Sequence, residues 1–348
     1  MRIEDEIKLT FDDVLIRPKR STLVSRSEVH LERSFKFKHT ESIWDGVPIV
    51  SANMDTTGTF ETAISLQKHK MITAIHKFYT VDDWKNNISN LDPSYIAVTV
   101  GQSEEDLKLA KNIFNLNNEI KFLCIDVANG YREDFINSVK KYRDTFQDKI
   151  IIAGNVATRE MTEALILAGA DIVKIGIGPG SVCTTRSVAG VGYPQLSSIS
   201  ECSDAAHGLG GHVMADGGCK FPGDVSKAFG AGADFVMLGG MFAGHEESGG
   251  ELVSDDDGVM YKDFYGMSST KAQQTYYGDL AVHRAPEGKK VRLKFKGPID
   301  TTIQSILGGV RSACSYVGAK TLKDLPKCTT FIRVTQTTNE IFTTFENH

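Results

Sequence analysis

The chain has 348 residues, of which 41% are hydrophobic and 24% are charged, and its formal net charge is −5. This composition is typical of a soluble globular protein and excludes the collagenous, coiled-coil and disordered classes. No apolar run approaches the roughly 20 residues that cross a bilayer. The N-terminal sequence MRIEDEIKLTF mixes both charge signs, so we expect neither a secretory signal nor a membrane partner. The slightly acidic balance argues against a nucleic-acid partner.

Six cysteines are scattered between Cys124 and Cys328, without a CxxC pair or zinc-like spacing to a histidine. This pattern is typical of proteins in a reducing compartment, so we expect free thiols and a cytoplasmic location. At roughly 150 residues per domain the length suits two domains, although α/β barrels often reach this size as one.

Eight short apolar runs recur along the chain, with helical stretches such as EEDLKLAKNIF and REDFINSVKKY between them. The runs begin at Val47, Met71, Tyr95, Lys121, Lys149, Asp171, Gly211 and Asp234. Near-continuous apolar runs are typical of parallel strands covered on both faces, and eight such repeats predict a (β/α)₈ barrel of the α/β class. An open doubly wound sheet is the alternative, but the first run ends in SANMD, without a glycine-rich phosphate loop.

We therefore expect one barrel domain over residues 1–348, with an N-terminal arm over 1–45. Polar residues gather where the predicted strands end, and that end of a barrel carries the chemistry. They are Asn53, Asp55, His76, Lys77, Asp126, Asn129, Asn155 and Asp216.

Pairs of glycines follow the last two predicted strands. Gly217 and Gly218 come after Asp216, and Gly239 and Gly240 end the eighth run. Paired glycines let backbone N–H groups approach an anion, and barrels often bind phosphate in these two loops. We expect a phosphate there, with Asp216 accepting hydrogen bonds from a ribose; the alternative is a pair of tight turns without a ligand.

The loop after the sixth run, GIGPGSVCTTR, carries Cys183. A structural cysteine normally has apolar neighbours, whereas this thiol lies among glycines and hydroxyl groups. A thiol becomes a strong nucleophile once lightly activated, so Cys183 is a candidate nucleophile. The other five cysteines are interpreted as core or incidental thiols.

After the eighth run the regular pattern stops. Residues 242–298 are polar and rich in glycine, and a long excursion from a compact barrel is usually a flap or lid. Glu287 in this segment is a candidate acid or base, although a loop glutamate is more often simply solvated.

Five motifs together, GIGPGSVCTTR, ADGG, FVMLGG, FYGMSS and HRAPEG, resemble the IMP dehydrogenase / GMP reductase superfamily, and within it the reductases most closely. The resemblance extends over essentially the whole chain. It implies a homotetramer of (β/α)₈ barrels that converts GMP and NADPH to IMP, ammonia and NADP⁺ in purine salvage, through a covalent cysteine thioimidate.

The same resemblance implies roles for individual residues. Cys183 would be the nucleophile, and Thr185 and Glu287 would handle protons. The implied substrate contacts are Asp216, Gly217, Gly218, Gly239, Gly240, Gly266, Met267, Ser268, Arg284, Ala285, Pro286, Glu287 and Gly288. The implied cofactor contacts, some of them serving a neighbouring subunit, are Ser25, Arg26, Lys77, Asp126, Val127, Ala128, Ile177, Gly178, Ser312, Ala313, Cys314 and Ser315. The implied K⁺ site consists of Gly178, Gly180, Cys183 and Arg186.

Two features favour a reductase over a dehydrogenase. The dehydrogenases usually carry a pair of regulatory CBS-type modules after the second barrel unit, but only 17 residues lie here between Lys77 and Tyr95. The flap has RAPEG in place of the dehydrogenases' arginine–tyrosine device, with Pro286 where the family has a small residue. IMP dehydrogenase and a nucleotide-binding protein without catalysis remain the alternatives.

Overall fold

The computed structural model describes residues 1, 3–278 and 285–335. The strands are β1 (Val14–Ile16), β2 (Arg33–Lys36), β3 (Ile43–Gly46), β4 (Ile49–Ser51), β5 (Ile72–Ile75), β6 (Ile96–Val100), β7 (Phe122–Asp126), β8 (Ile150–Val156), β9 (Ile172–Ile175), β10 (His212–Asp216), β11 (Phe235–Leu238), β12 (Leu252–Ser254), β13 (Met260–Tyr265), β14 (Lys290–Lys294) and β15 (Phe331–Arg333). The helices are α1 (Phe60–Leu66), α2 (Val81–Asn87), α3 (Glu104–Leu116), α4 (Glu133–Thr145), α5 (Arg159–Leu167), α6 (Thr185–Val188), α7 (Gln195–Gly208), α8 (Pro222–Gly230), α9 (Thr270–Tyr277), α10 (Asp300–Val317) and α11 (Leu325–Cys328).

Strands β4 to β11 form a closed parallel barrel in chain order, because β11 pairs with β4. Each of the eight predicted apolar runs supplies one of these strands, so the predicted (β/α)₈ barrel is confirmed. Five barrel strands, β4, β5, β6, β9 and β11, are buried at every residue, as expected for a sheet lined by side chains inside and covered by helices outside.

Helix α3 begins with a capping box. At the start of α3, Ser103 Oγ accepts from the Asp106 N–H at 3.1 Å, and the Asp106 carboxylate accepts from the Ser103 N–H at 3.0 Å. This reciprocal cap satisfies amide groups that would otherwise lack partners. Of the helices in the described part of the chain, none combines the length and the apolar character that crossing a membrane requires.

A hairpin of the N-terminal arm covers the amino end of the barrel. Strands β2 and β3 pair there, and Phe35 stacks on Phe235 with ring centroids 4.5 Å apart. Trp44 packs edge-to-face against Phe122 and donates its indole N–H to Ser94 O at 2.8 Å. Aromatic side chains fill this end of the barrel. A ligand-binding site is therefore expected at the carboxyl end of the strands.

The segment after β11 folds back as a small antiparallel sheet. Strand β13 pairs with both β12 and β14, and α9 lies between β13 and β14 in the chain. We call residues 242–298 the flap; residues 279–284 of it lie outside the described part. Between β5 and β6 the described chain holds α2 and a short 3-10 turn. Strands β1 and β15 pair with each other on the barrel's outside.

Candidate active site

A buried lysine joins two of the strand-end carboxylates at the mouth of the barrel. Lys174 of β9 is 2% exposed, and its Nζ lies 2.6 Å from Asp126 Oδ1 and 2.9 Å from Asp216 Oδ2. Asn155 adds a hydrogen bond from Nδ2 to Asp216 Oδ2 at 2.8 Å. The carboxylate of Asp216 is therefore held in one orientation from two sides.

Asp126 and Lys174 stabilise each other's charged forms. Burial by itself raises the pKa of Asp126, but the ammonium of Lys174 outweighs it and holds that pKa below its ordinary value. Burial lowers the pKa of Lys174, and the two carboxylates more than reverse this and raise it above its ordinary value. Asp126 and Lys174 are consequently both ionised at neutral pH.

The loop after β9 presents Cys183 at half-buried depth. Its Sγ–H donates to Thr185 Oγ1 over 3.3 Å, and its backbone N–H donates to Gly180 O at 3.1 Å. A thiol is a weak donor, so the contact with Thr185 positions the sulfur without tying up its lone pairs. The loop thus holds a reachable thiol beside a hydroxyl group.

The flap pairs with this loop through backbone hydrogen bonds. Cys183 and Gly288 form an antiparallel bridge, Thr184 N–H donates to Glu287 O at 3.0 Å, and Lys289 N–H donates to Val182 O at 2.9 Å. The described part of the flap therefore carries Glu287, whose side chain is half-buried, directly against the cysteine loop.

A third segment, residues 266–269, packs into the same place. Glu287 N–H donates to Ser268 O at 3.2 Å, and Ser269 bridges to Gly288. A Cβ added at Gly288 would lie 2.9 Å from Ser269 N, so only glycine permits three backbone segments to approach this closely. Gly266, Met267 and Ser268 are in this way adjacent to the cysteine loop.

The two glycine pairs border the cysteine loop from the opposite side. Gly217 and Gly218 have φ of +88° and +90°, and a Cβ at Gly217 would lie 3.2 Å from Gly180 N. A Cβ at Gly240 would lie 3.0 Å from the hydroxyl oxygen of Ser181. The loops after β10 and β11 thus form, with Ser181, a cradle of backbone amides and one hydroxyl group that suits a phosphate.

The four residues expected to hold a cation lie in one compact turn. Gly178 has φ of +82°, and a Cβ there would lie 2.7 Å from Arg186 Cγ. Gly180 and Cys183 are joined by the hydrogen bond described above. Arg186 is anchored by donation from its guanidinium to Tyr193 O at 2.7 Å.

The residues expected to bind the cofactor divide into two groups. One group lies at the barrel mouth and consists of Lys77, Asp126, Val127, Ala128, Ile177 and Gly178. The other lies on the barrel's outside, where the 3-10 turn Arg26–Glu28 packs on α10, and consists of Ser25, Arg26, Ser312, Ala313, Cys314 and Ser315. The Cys314 side chain is fully buried in the core, so only its backbone is available to a ligand.

Asp55, which follows β4, fastens the flap to the barrel. The hydroxyl groups of Tyr265 and Tyr276 both donate to its Oδ2, at 2.5 and 2.6 Å, while its Oδ1 is buried without a partner in the described residues. The three residues line a cavity of about 450 Å³ together with His76, Tyr79 and Lys271. One barrel carboxylate therefore holds both β13 and α9.

The comparison with known proteins identifies the family. The IMP dehydrogenase / GMP reductase domain matches residues 8–341. The chain belongs to this family. It is 59% identical over 345 residues to the GMP reductase of Photobacterium profundum, covering 98% of this chain and 99% of that one. It is 57% identical over 349 residues to the GMP reductase of Buchnera aphidicola subsp. Acyrthosiphon pisum (strain Tuc7), covering 99% and 100%. It is 58% identical over 345 residues to the GMP reductase of Escherichia coli O81 (strain ED1a), covering 98% and 99%.

Of the groups that surround Asp216 and Cys183, Lys174 and Ser181 were not predicted as site residues. Lys174 was missed although a lysine inside an apolar strand, IVKI, signals a buried counter-charge. Ser181 was missed because its approach to Gly240 depends on how two distant loops meet. Of the predicted site residues, Arg284 lies outside the described part of the chain.

His76 is expected to make stability in this member of the family depend on pH. It is 6% exposed, stacks on Tyr79 with centroids 4.0 Å apart, and accepts at Nδ1 from Phe78 N–H. Burial lowers its pKa to about 4. Between pH 6.5 and 4 the unfolded chain binds a proton that the folded His76 does not, so stability falls as pH falls.

The size of this effect follows from the pKa difference. His76→Gln is expected to remove about 3 kcal/mol of the loss in unfolding free energy between pH 7 and pH 4, measured by urea unfolding at each pH. The exposed His30 serves as control, and His30→Gln should leave the pH dependence unchanged. Parallel pH profiles for wild type and His76→Gln would contradict a buried neutral imidazole.

Proposed function

We propose that this protein catalyses the NADPH-dependent reductive deamination of GMP to IMP and ammonia, a reaction of purine salvage. The observation that carries the proposal is the backbone pairing of Cys183 with Gly288, which sets the flap segment bearing Glu287 against the loop bearing the thiol. Similarity to proteins named GMP reductase, over nearly the full length of both chains, supports GMP as the substrate.

The proposed role of Cys183 follows from the chemistry of the purine C2 atom. This carbon carries an amino group, which leaves only after protonation. Addition of the thiolate makes C2 tetrahedral, and a proton delivered to the departing nitrogen releases ammonia and leaves a thioimidate bond to sulfur. A thiolate suits both ends of the reaction because it attacks and departs readily.

We assign the proton transfers to Thr185 and Glu287. The hydroxyl oxygen of Thr185 is 3.3 Å from Cys183 Sγ, so it can take the thiol proton while its own hydroxyl proton passes to the carboxylate of Glu287. Glu287 is positioned by hydrogen bonds of its backbone to Thr184 and Ser268. General acid–base catalysis of this kind contributes about 10²–10⁴-fold to a rate.

The nucleotide contacts proposed for the site surround the thiol. The amide cradle of the two glycine pairs would hold the 5′-phosphate, with Ser181 as an added donor, and the fixed carboxylate of Asp216 would accept from the ribose hydroxyl groups. The further proposed contacts are Gly266, Met267, Ser268, Arg284, Ala285, Pro286, Glu287 and Gly288.

The barrel mouth fits a phosphate-bearing cofactor. Lys77 supplies a cation beside the carboxylate of Asp126, and a lysine cation can meet a 2′-phosphate. The chemistry that NADPH supplies when bound is a hydride for C2, after which Cys183 leaves as the thiolate. The group on the barrel's outside, including Arg26 and Ser315, is proposed to serve the cofactor of a neighbouring subunit in a homotetramer.

The turn formed by Gly178, Gly180, Cys183 and Arg186 fits a monovalent cation such as K⁺. Its residues carry backbone carbonyl oxygens, and oxygen ligands suit a hard cation. We propose that these residues hold K⁺ and so stiffen the loop that carries the nucleophile.

The remaining proposals concern the chain as a whole. We propose one barrel domain over residues 1–348, with the arm over 1–45, the flap over 242–298 and no CBS-type insertion. The protein would work in the cytoplasm, without a nucleic-acid or membrane partner.

The proposed activity is tested with two substrate pairs. Incubation with GMP and NADPH is expected to consume the absorbance of reduced nicotinamide and to release ammonia in an equal amount, while IMP and NAD⁺ give no comparable turnover. A protein that oxidises IMP but ignores GMP is a dehydrogenase. One that binds GMP without turnover is a nucleotide-binding protein. Either result refutes the proposal.

A further inference from the structure

At the amino end of the barrel, opposite the candidate active site, two imidazoles and a carboxylate converge. His207 is near the end of α7, His212 begins β10, and Asp234 precedes β11. Each residue offers one atom that could bind a metal, a ring nitrogen from each histidine and a carboxylate oxygen from Asp234. These three atoms lie within 4.8 Å of one another. Neither the family nor the proposed reaction assigns a role to this cluster.

The hydrogen bonds of His212 fix which of its nitrogens is available. Its Nε2 lies 2.9 Å from Lys36 O, and because a carbonyl oxygen only accepts, Nε2 carries the proton of the neutral ring. Its Nδ1 is then a lone pair. That Nδ1 is buried, has no hydrogen bond within the described residues, and lies 3.4 Å from Asp234 Oδ2. A buried lone pair facing a carboxylate oxygen is unfavourable unless a second ring proton or a metal cation lies between them.

The outer contacts of the cluster resemble those that orient metal ligands. Metal-binding histidines usually donate their second ring N–H to a backbone carbonyl or a carboxylate, as His212 does to Lys36. Asp234 Oδ1 accepts from Arg33 Nη2 at 3.2 Å, and Oδ2 accepts from the Val213 backbone N–H at 3.2 Å and faces the two imidazoles. The His207 side chain is 46% exposed, so an ion can enter from solvent.

The distances suit a small tetrahedral ion. With metal–ligand bonds of about 2.0–2.2 Å, neighbouring ligand atoms lie about 3.3–3.5 Å apart. The separation of His212 Nδ1 from Asp234 Oδ2, 3.4 Å, already matches. His207 Nε2 lies 2.7 Å from Asp234 Oδ2, so this exposed side chain must give up its proton and withdraw slightly when metal binds.

We propose that His207, His212 and Asp234 form a binding site for a divalent transition metal of the zinc type, with the fourth position open to water. The ion would join α7 to β10 and β11, and through Arg33 and Lys36 to the arm that covers the barrel. Its role is structural, because the candidate active site is at the other end of the strands.

Cobalt(II) provides the probe, because its visible spectrum reports the ligands. The chelator-treated full-length protein is expected to bind one Co²⁺ per chain, with the visible bands of a four-coordinate nitrogen and oxygen site. It should lack the near-ultraviolet charge-transfer band that thiolate ligation would produce, and Zn²⁺ should displace the cobalt. Saturating Zn²⁺ is expected to raise Tm by about 3 °C.

Two variants decide the outcome. His207→Ala, at an exposed position where folding is not at risk, is expected to weaken Co²⁺ binding at least about tenfold and to abolish the Zn²⁺-induced rise in Tm. His69→Ala is the matched control, since His69 pairs with Asp300 at 2.9 Å and belongs to no cluster of three such ligands within the described residues. It should change neither Co²⁺ binding nor the Zn²⁺-induced rise in Tm. Absence of stoichiometric binding, a thiolate band, or binding that survives His207→Ala overturns the site.

Discussion

Replacing Cys183 with alanine is expected to lower turnover of GMP by at least about 10³-fold, because the variant has no group to form the thioimidate. The affinity for GMP should stay within about threefold of wild type, since the phosphate cradle and Asp216 are untouched. The measurements are NADPH oxidation under saturating GMP and equilibrium binding of GMP.

The matched control is Cys328, another half-buried free thiol, which lies at the end of α11 away from the barrel mouth. Cys328→Ala is expected to retain full turnover. Rapid denaturation of the working wild-type enzyme, followed by mass spectrometry, should find the nucleotide attached to the peptide that contains Cys183. Substantial turnover by Cys183→Ala, or an adduct on another residue, would contradict covalent catalysis at this sulfur.

The barrel could be predicted because its strands obey a simple local rule. A parallel strand covered on both faces must be apolar at nearly every position, and runs such as IAVTV at Ile96–Val100 satisfy that requirement without reference to the rest of the chain. The sheet of the flap follows another rule. Strand β14 alternates between exposed and half-buried positions, and in a polar, glycine-rich segment so short an alternation was not recognised as a strand.

The contacts of the site could be predicted only where both residues lie in the same short sequence motif. Cys183 and Thr185 lie two residues apart, so their contact follows from the loop sequence. The clamp of Asp55 on Tyr265 and Tyr276 joins residues more than two hundred positions apart, and no local pattern specifies that pairing. The histidine cluster at the amino end joins consecutive elements, α7, β10 and the residue before β11, and it depends on the pairing of β10 with β11.

Replacing Lys174 with methionine is expected to lower the free energy of unfolding by about 3 kcal/mol at pH 7. Methionine keeps most of the side-chain volume but removes the ammonium that lies between the carboxylates of Asp126 and Asp216. Their side chains are 27% and 21% exposed, so solvent screens this repulsion only in part. The variant should also raise the KM for GMP at least about tenfold, because Asp216 loses a contact that orients it.

The pH dependence distinguishes this charge effect from a packing defect. In wild type the pKa of Asp126 lies below its ordinary value, so its stabilisation is present above that value and is lost as pH falls. In Lys174→Met the carboxylate pair binds a proton more readily when folded, which adds stability at low pH and removes it as pH rises. The deficit relative to wild type should therefore shrink on acidification from pH 7 towards pH 4.

A second substitution and a control complete the test. Asp126→Asn in the Lys174→Met background removes one of the two repelling charges and is expected to recover about half of the lost stability. Lys149, another buried lysine, lies at the opposite end of the barrel, where its ammonium donates to Asn118 O at 2.5 Å. Lys149→Met should destabilise the protein without altering the KM for GMP, because no site residue depends on that cation. Equal deficits at pH 7 and pH 4 for Lys174→Met, or an unchanged KM, would show that Lys174 only fills space, and the ionic frame around Asp216 would then have no part in holding the nucleotide.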